Sequence, residues 1–239
     1  VNADPDVAVI VPAAGRGERL GPGSPKALRT LDGSPMLLHA VRAVAAARSV
    51  AQVVVAAPSD EVEGVRGLLA GHLEDTELTL VSGGQTRQES VARALIAVRP
   101  DIQIVLVHDA ARPLVPVGLV EAVIAAVRAG APAVVPGLPV ADTVKSIDER
   151  CVVVGTPDRS ALRAVQTPQG FARDALRRAH ALVDPSEEPR TDDAGLVEGL
   201  GIPVVVIPGH EEAFKVTRPL DLVLAEAVLA RRRSSGVLP

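Results

Sequence analysis

The stretch Val11–Leu28, VPAAGRGERLGPGSPKAL, follows an apolar run (Ala8-Val9-Ile10-Val11) and opens a loop with Gly15, Gly17, Gly21 and Gly23. A buried strand running into a glycine loop reads as the start of an α/β unit, and successive backbone N–H groups in such loops cradle anions. Three phosphate motifs compete for it. A P-loop needs G-x-x-x-x-G-K-[ST], but Pro22 follows Gly21 and Ala27 follows Lys26, so the magnesium-binding hydroxyl is missing. A dinucleotide fingerprint begins at Gly15-x-Gly17, yet its sixth position is Leu20. Pro22 and Pro25 also break any helix starting inside the loop. The third reading is a long cradle carrying two cations. Small Ala13, Ala14 and Gly15 admit close backbone approach, Arg19 can fork onto phosphate oxygens, and Lys26 supplies a point charge. Pro25 restricts the backbone on both sides of its bond, so Lys26 is held in position.

Outward from this stretch, short Val/Ile-rich runs alternate with helical periodicity. Val7–Val11, Val53–Ala57, Leu78–Val81, Ile104–Val107, Ala133–Val135 and Val204–Ile207 read as strands. They are near-continuous apolar runs, as expected where both faces are covered. Leu37/Val41/Val44/Ala45, Val91/Ala94/Leu95/Val98 and Val120/Val123/Ile124/Val127 each trace one helix face. Ser34-Pro35 supplies a cap and a starting proline for the first. A last helix follows Thr217-Arg218-Pro219 and ends in Arg231-Arg232-Arg233, which suits the helix dipole. The alternation predicts a single α/β domain over residues 1–239. Its sheet should be open and mostly parallel, with helices on both faces and ligands beyond the carboxyl ends of the strands.

Composition narrows the function. The 239 residues are 47% apolar with two Phe and no Trp or Tyr, which leaves no stacking platform for single-stranded nucleic acid. The net charge of −4 lacks a nucleic-acid footprint. Cys151 is alone, so no disulfide framework or cysteine-rich metal site is expected. No apolar stretch reaches the ~18 residues of a membrane span, and the N-terminal VNADPD is unlike a signal segment. A soluble cytoplasmic protein that binds neither nucleic acid nor membrane is expected.

Residues 139–159 break the rhythm: two extended segments flank Asp148-Glu149-Arg150 with no helix to cover them. An isolated hairpin is marginal in water, so a second copy of the chain is the economical partner. Three further segments carry chemistry. VLVHDAARP (105–113) puts Asp109 at a strand end, where a carboxylate suits Mg²⁺ held jointly with substrate phosphates. Arg112, three residues on, can bind phosphate or simply pair with Asp109, and His108 reads as a packed, hydrogen-bonded residue. VSGGQTRQESV (81–91) brings Arg87 and Ser90 to a helix start, an anion-friendly end, and FKVTRP (214–219) delivers Lys215.

These segments together resemble one family, the 2-C-methyl-D-erythritol 4-phosphate cytidylyltransferases of the non-mevalonate isoprenoid pathway. PAAGRGERL…PKAL, GGQTRQESV, VHDAARP, DTVK, TPDR, AVQTPQGF, TDDAGLVE and KVTRP occur in order from Val9 to about Ala230. The first is shared with many sugar nucleotidyltransferases; VHDAARP with TPQGF, TDDA and KVTRP is specific.

The resemblance implies a three-layer Rossmann-like nucleotidyltransferase fold and a homodimer in which an arm, residues 139–159, reaches the neighbour's site. It implies CMP transfer from CTP to methylerythritol 4-phosphate, with release of pyrophosphate and with Mg²⁺ or another divalent cation. By position, Ala13, Ala14, Gly15 and Lys26 would hold CTP, and Gly83, Gly84 and Ser90 would surround the cytosine. Asp109 would lie beside nucleotide, metal and substrate. Arg19 and Lys26 would stabilise the transition state, while Arg159 and Lys215 would position the attacking phosphate with Arg112, Thr143 and Thr167. Some relatives carry an acidic residue in place of Gln85, and Glu211 and Glu212 have no firm match in the family, so no metal role is expected of them. Only SSGVLP follows the last helix, so a fused second enzyme is not expected. Two rivals are a nucleotidyltransferase for another acceptor, which leaves VHDAARP and TPQGF unexplained, and a non-catalytic nucleotide binder, which needs no convergent cations.

Overall fold

The computed structural model describes residues 5–15, 25–73, 75–183 and 190–236. Its first half contains β1 (Val7–Pro12), β2 (Thr30–Leu31), β3 (Ser34–Pro35), α1 (Met36–Ala45), β4 (Val50–Ala57), α2 (Val62–Leu69), β5 (Glu77–Ser82), α3 (Arg87–Ile96) and β6 (Ile104–Val107). The second half adds α4 (Val117–Arg128), β7 (Ala133–Pro139), β8 (Ser146–Ile147), β9 (Val153–Gly155), β10 (Arg163–Val165) and β11 (Gln169–Ala172). It closes with α5 (Arg173–Ala181), α6 (Asp193–Gly199), β12 (Val204–Pro208) and α7 (Pro219–Ser234).

All six strands expected from the apolar runs are present. β6, β1, β4 and β5 lie side by side and parallel. The chain runs from β1 out to β4 and β5, then crosses back to β6 on the other side of β1. That reversal makes the carboxyl ends of β1 and β6 the switch point where a ligand crevice opens. The remaining half of the eight-stranded sheet is mixed. β11 lies antiparallel between β6 and β7, and β7 also pairs antiparallel with β10 and parallel with β12. The antiparallel insertion departs from a simple strand–helix alternation. QGFA offers one large apolar side chain, Phe171, and no run to read, yet that side chain is wholly buried.

Alternation along β1 distributes its side chains between two cores. Val7, Val9 and Val11 pack with α1, α2 and α4 through Leu37, Val41, Val65, Val120 and Ile124. Ala8 and Ile10 pack with α3, α5 and α6 through Val91, Leu95, Leu176 and Val197. Three layers result. Each fully buried valine or leucine stabilises by roughly 1.5–3 kcal/mol relative to exposure, which is why the sheet centre is so legible in the sequence. A smaller cluster of Leu31, Met36, Leu114, Val216, Ala225 and Leu229 seats α7 beside the site.

Local details correct and extend the reading. Ser34 does not cap α1: Ser34–Pro35 is a short strand, and Pro35 is the N-cap without a side-chain hydrogen bond. The basic end of α7 is not merely solvated. Arg231 and Arg232 pair with Glu212, Arg232 also donates to the Leu114 carbonyl at 2.7 Å, and Arg233 pairs with Asp32. Within 139–159, β8 and β9 form an antiparallel pair closed by Asp148, whose Oδ1 accepts from the N–H groups of Arg150 and Val152. Ile147, Val152, Val153 and Val154 on this pair are exposed. No helix among the described residues is long and apolar enough to cross a membrane.

Candidate active site

Four loops meet at the carboxyl ends of β1, β5 and β6. The β1 strand delivers Ala13, whose N–H donates to the Ala56 carbonyl at 2.8 Å, and then Ala14 and Gly15. Pro25 leads into a single 3-10 turn at Lys26–Leu28, which aims Lys26 back toward β1. After β5, the loop of residues 83–86 is tightly bound to itself and to α3. Thr86 caps α3 by accepting from the Glu89 N–H, and the Gln85 N–H donates to the Glu89 carboxylate at 2.8 Å. The Ser90 hydroxyl accepts from the Gly84 N–H and donates to the Thr86 carbonyl. Glycine is required here by contact: a Cβ on Gly83 would stand 2.4 Å from the Ala14 Cβ, and one on Gly84 would stand 2.3 Å from the Glu89 Cβ. The β1 and β5 loops therefore touch at a point only glycine permits.

Beyond β6, the His108 N–H donates to the Ile10 carbonyl and sets up Asp109. His108 is wholly buried, with Nε2 3.1 Å from the Arg112 carbonyl and Nδ1 3.1 Å from the Thr167 hydroxyl. A carbonyl only accepts, so Nε2 carries the hydrogen and Nδ1 accepts from Thr167. Thr167 in turn accepts from the Asp109 N–H at 3.0 Å. Burial pushes the imidazole down to about 4, leaving it neutral. The expected packed histidine is thus a fixed link, and the Thr167 proton is committed to it.

Asp109 is the hub. Lys215 Nζ lies 2.7 Å from its Oδ2, Arg87 Nε lies 3.3 Å from its Oδ1, and Arg112 Nε stands 4.0 Å from Oδ2. Burial by itself would raise this carboxyl; Arg87, Lys215 and Arg112 overcome that and hold it well below the usual carboxylate range. Arg112 chiefly stitches backbone, donating to the carbonyls of Ala213 (2.7 Å) and Val165 (3.2 Å). The Val216 N–H donates to the Ala111 carbonyl, and Asp221 accepts from Thr217 and Arg218, so the loop presenting Lys215 is anchored on both sides.

Two cavities open on this hub. One, about 220 Å³, is lined by Ala13, Ala14, Gly15, Lys26, Gly84, Ser90 and Asp109 among others. The second, about 230 Å³, is lined by Arg112, Thr167, Gln169, Thr191 and Asp192. Arg87, Asp109 and Lys215 line both. The structure thus brings together most residues singled out from the sequence. Gly83 lies behind the first cavity as the contact to Ala14. Arg19 lies outside the described residues. Thr143 and Arg159 are exposed beside the hairpin and line neither cavity; Arg159 donates to the Ala141 carbonyl at 2.6 Å. Arg87 is more central than its place at a helix start suggested. Asp193 and Gln169, to which no role was given, support the site wall, and no local signal marks them beyond their place in TDDA and TPQGF.

Among the described residues no group of three or more His, Cys, Asp or Glu is arranged to hold a metal. One carboxylate at the hub, with room for substrate phosphates beside it, still matches how Mg²⁺ is bound in phosphoryl-transfer sites.

Small-residue loops beside cations, at the switch point of a three-layer α/β sheet, suit a phosphate-bearing ligand, and the relatives of this chain place it among the nucleotidyltransferases. Residues 7–231 match the family described as 2-C-methyl-D-erythritol 4-phosphate cytidylyltransferase, and the chain belongs to that family. It is 64% identical over 234 residues to the protein of that name from Streptomyces avermitilis, covering 95% of this chain and 92% of the relative. The Streptomyces coelicolor protein is 63% identical, covering 95% and 86%. Among solved structures, the cytidylyltransferase from Thermus thermophilus superposes with a TM-score of 0.74 at 40% identity, covering 93% and 98%. The 4-diphosphocytidyl-2C-methyl-D-erythritol synthase from Anaerococcus prevotii superposes with a TM-score of 0.81 at 28% identity, covering 94% and 98%.

Proposed function

We propose that the chain transfers CMP from CTP to 2-C-methyl-D-erythritol 4-phosphate, giving 4-diphosphocytidyl-2-C-methyl-D-erythritol and pyrophosphate in the isoprenoid pathway of that name. The observation that carries the mechanism is the wall of Arg87, Asp109 and Lys215 shared by two cavities. The first cavity takes the nucleotide and the second takes the acceptor phosphate, so the two reactants meet across the wall. An acceptor phosphate oxygen attacks the α-phosphorus; the new P–O bond forms as the bond to the β-phosphate oxygen breaks, and pyrophosphate leaves. The nucleophile is already an anion, so no strong general base is needed.

The obstacle is repulsion between two anions, and fixed cations remove it. Lys26 and Arg19 stabilise charge on the α-phosphate, while Lys215 orients the acceptor with Arg112 and Thr167 shaping its pocket. Ala13, Ala14, Gly15, Gly83, Gly84 and Ser90 surround the base, whose recognition relies on backbone groups and short side chains. Asp109 would hold Mg²⁺ together with the triphosphate, and the ion when bound offsets phosphate charge. Arg159 and Thr143 reach a site across a homodimer formed through residues 139–159. Support for that comes from the exposed Ile147, Val152, Val153 and Val154, which their own chain leaves uncovered. The lone Cys151 accords with a reducing, cytoplasmic setting.

The deciding experiment is pyrophosphate release from CTP, Mg²⁺ and methylerythritol 4-phosphate. Release that depends on all three supports the reading. Release with ATP or GTP, or with sugar 1-phosphates in place of the acceptor, would move the chain to another nucleotidyltransferase activity.

A further inference from the structure

One buried charge is unused by this mechanism. Asp193, at the first turn of α6, has a side chain 1% exposed, and both its oxygens face away from solvent onto protein groups. Oδ2 accepts from Arg87 Nη1 at 2.6 Å, and Oδ1 accepts from His180 Nε2 at 3.0 Å. The same Arg87 guanidinium donates through Nε to Asp109. Burial would raise the Asp193 carboxyl, but the His180 hydrogen bond and the Arg87 charge keep it below its ordinary value. Gln169 pins this turn to the sheet, donating to the Asp192 carboxylate at 2.7 Å and accepting from the Ala194 N–H at 3.2 Å. Gln169 lies two residues from Thr167, which holds the Asp109 N–H. The Asp109 carboxylate and its backbone are thus both referred to the α6 turn, by two routes.

A guanidinium can span two carboxylates in one plane, and an ammonium cannot. We propose that Asp193 is a positioning residue for the transfer reaction: by gripping Arg87 it fixes the Asp109 carboxylate against Lys215, although Asp193 lines neither cavity. This rests on the functional reading above for its kinetics but not for its geometry. Without Asp193, Arg87 keeps its charge and loses its direction. Asp109 and Lys215 then sample several arrangements, and misplacement of about 1 Å can cost ~100-fold in rate.

The test is a double-mutant cycle on the full chain. In the native background, Asp193→Asn should lower kcat by about 30- to 100-fold, with KM for CTP changed less than about threefold. In an Arg87→Leu background the same substitution should leave kcat within about twofold, because the route is already cut. Equal falls in both backgrounds, or no fall in the native one, would overturn the proposal. A merely structural Asp193 would lower thermal stability in both backgrounds without this asymmetry in kcat. Should Asp193→Asn fail to fold, Arg87→Lys replaces it: a fall of at least about 10-fold in kcat supports the bridge, and native turnover overturns it. The crystal structure of whichever variant folds gives a readout free of any assay. A residue 87 side chain moved off Asp109 supports the proposal, and one still seated on Asp109 Oδ1 refutes it. A native chain inert toward CTP and methylerythritol 4-phosphate would remove only the functional reading, and the crystallographic comparison would still decide the positioning role.

Discussion

The Lys215 ammonium sits 2.7 Å from the Asp109 carboxylate, joining the loop before α7 to the end of β6. Lys215 is about 40% exposed, whereas Asp109 is almost wholly covered, so the lysine is the partner an incoming phosphate can reach. An arriving phosphate can take the ammonium, because Arg87 continues to neutralise Asp109. Lys215→Ala should therefore lower kcat by about 10²–10³, the loss expected for one preorganised cation. Its stability should change by about 1 kcal/mol or less, as for a partly exposed ion pair. Steady-state kinetics beside thermal unfolding check both, and turnover within about tenfold of native would remove Lys215 from the reaction.

The contact between Gly83 and Ala14 gives a sharper geometric prediction. A methyl on Gly83 meets Ala14 Cβ at 2.4 Å, with Ser90 Oγ at 3.1 Å and the Ala57 carbonyl at 3.2 Å. Gly83→Ala should push the β1 and β5 loops apart, raising KM for CTP at least about tenfold and costing about 1–3 kcal/mol of stability. Adding Ala14→Gly removes the nearest obstacle and should restore part of both losses. Failure of the second substitution to rescue would show that the two loops do not meet where the structure puts them.

How much of this could be read in advance follows from which physics leaves a local trace. β1, β4 and β6 are buried on both faces, so their apolar runs and the loops at their ends stood out at once. Glycine and cation types in those loops pointed to phosphate without any contact map. β11 left no run because a single phenylalanine carries its burial. The Arg87–Asp193 bridge spans 106 residues and exists only because α3 and α6 pack on one face of the sheet. The commitment of the Thr167 proton to His108 is likewise a matter of direction, which spacing does not encode. No local pattern gives Glu212 a partner, because its partners Arg231 and Arg232 come from the far end of α7.

His108 makes stability depend on pH. Its folded value is pushed down to about 4 by burial, against 6.5 when free. Between those values the unfolded chain binds a proton that the folded chain refuses, so stability falls as pH drops through that window. The contribution is fully present above about pH 6.5 and shrinks by about 2 kcal/mol between pH 7.5 and pH 5. Denaturant unfolding of the native chain and of His108→Gln across that range should show the steeper decline in the native chain. Parallel curves would mean that the imidazole titrates normally in the fold.

Arg159 is exposed beside its own hairpin and lines neither of the two cavities that meet at Asp109, yet the proposed chemistry needs it at an acceptor phosphate. A symmetric dimer resolves this if each hairpin serves the neighbouring site. Arg159→Ala and Lys215→Ala should each abolish most turnover, for different reasons: one removes a residue supplied by the arm, the other a residue of the pocket. Unfolded together in equal amounts and refolded, half of the dimers should carry one chain of each kind. In such a dimer one site combines both defects, while the other combines an intact pocket with an intact arm. The mixture should regain about a quarter of native activity, although neither variant alone shows it. If the arm served its own chain, every site would contain one defect and mixing would restore nothing.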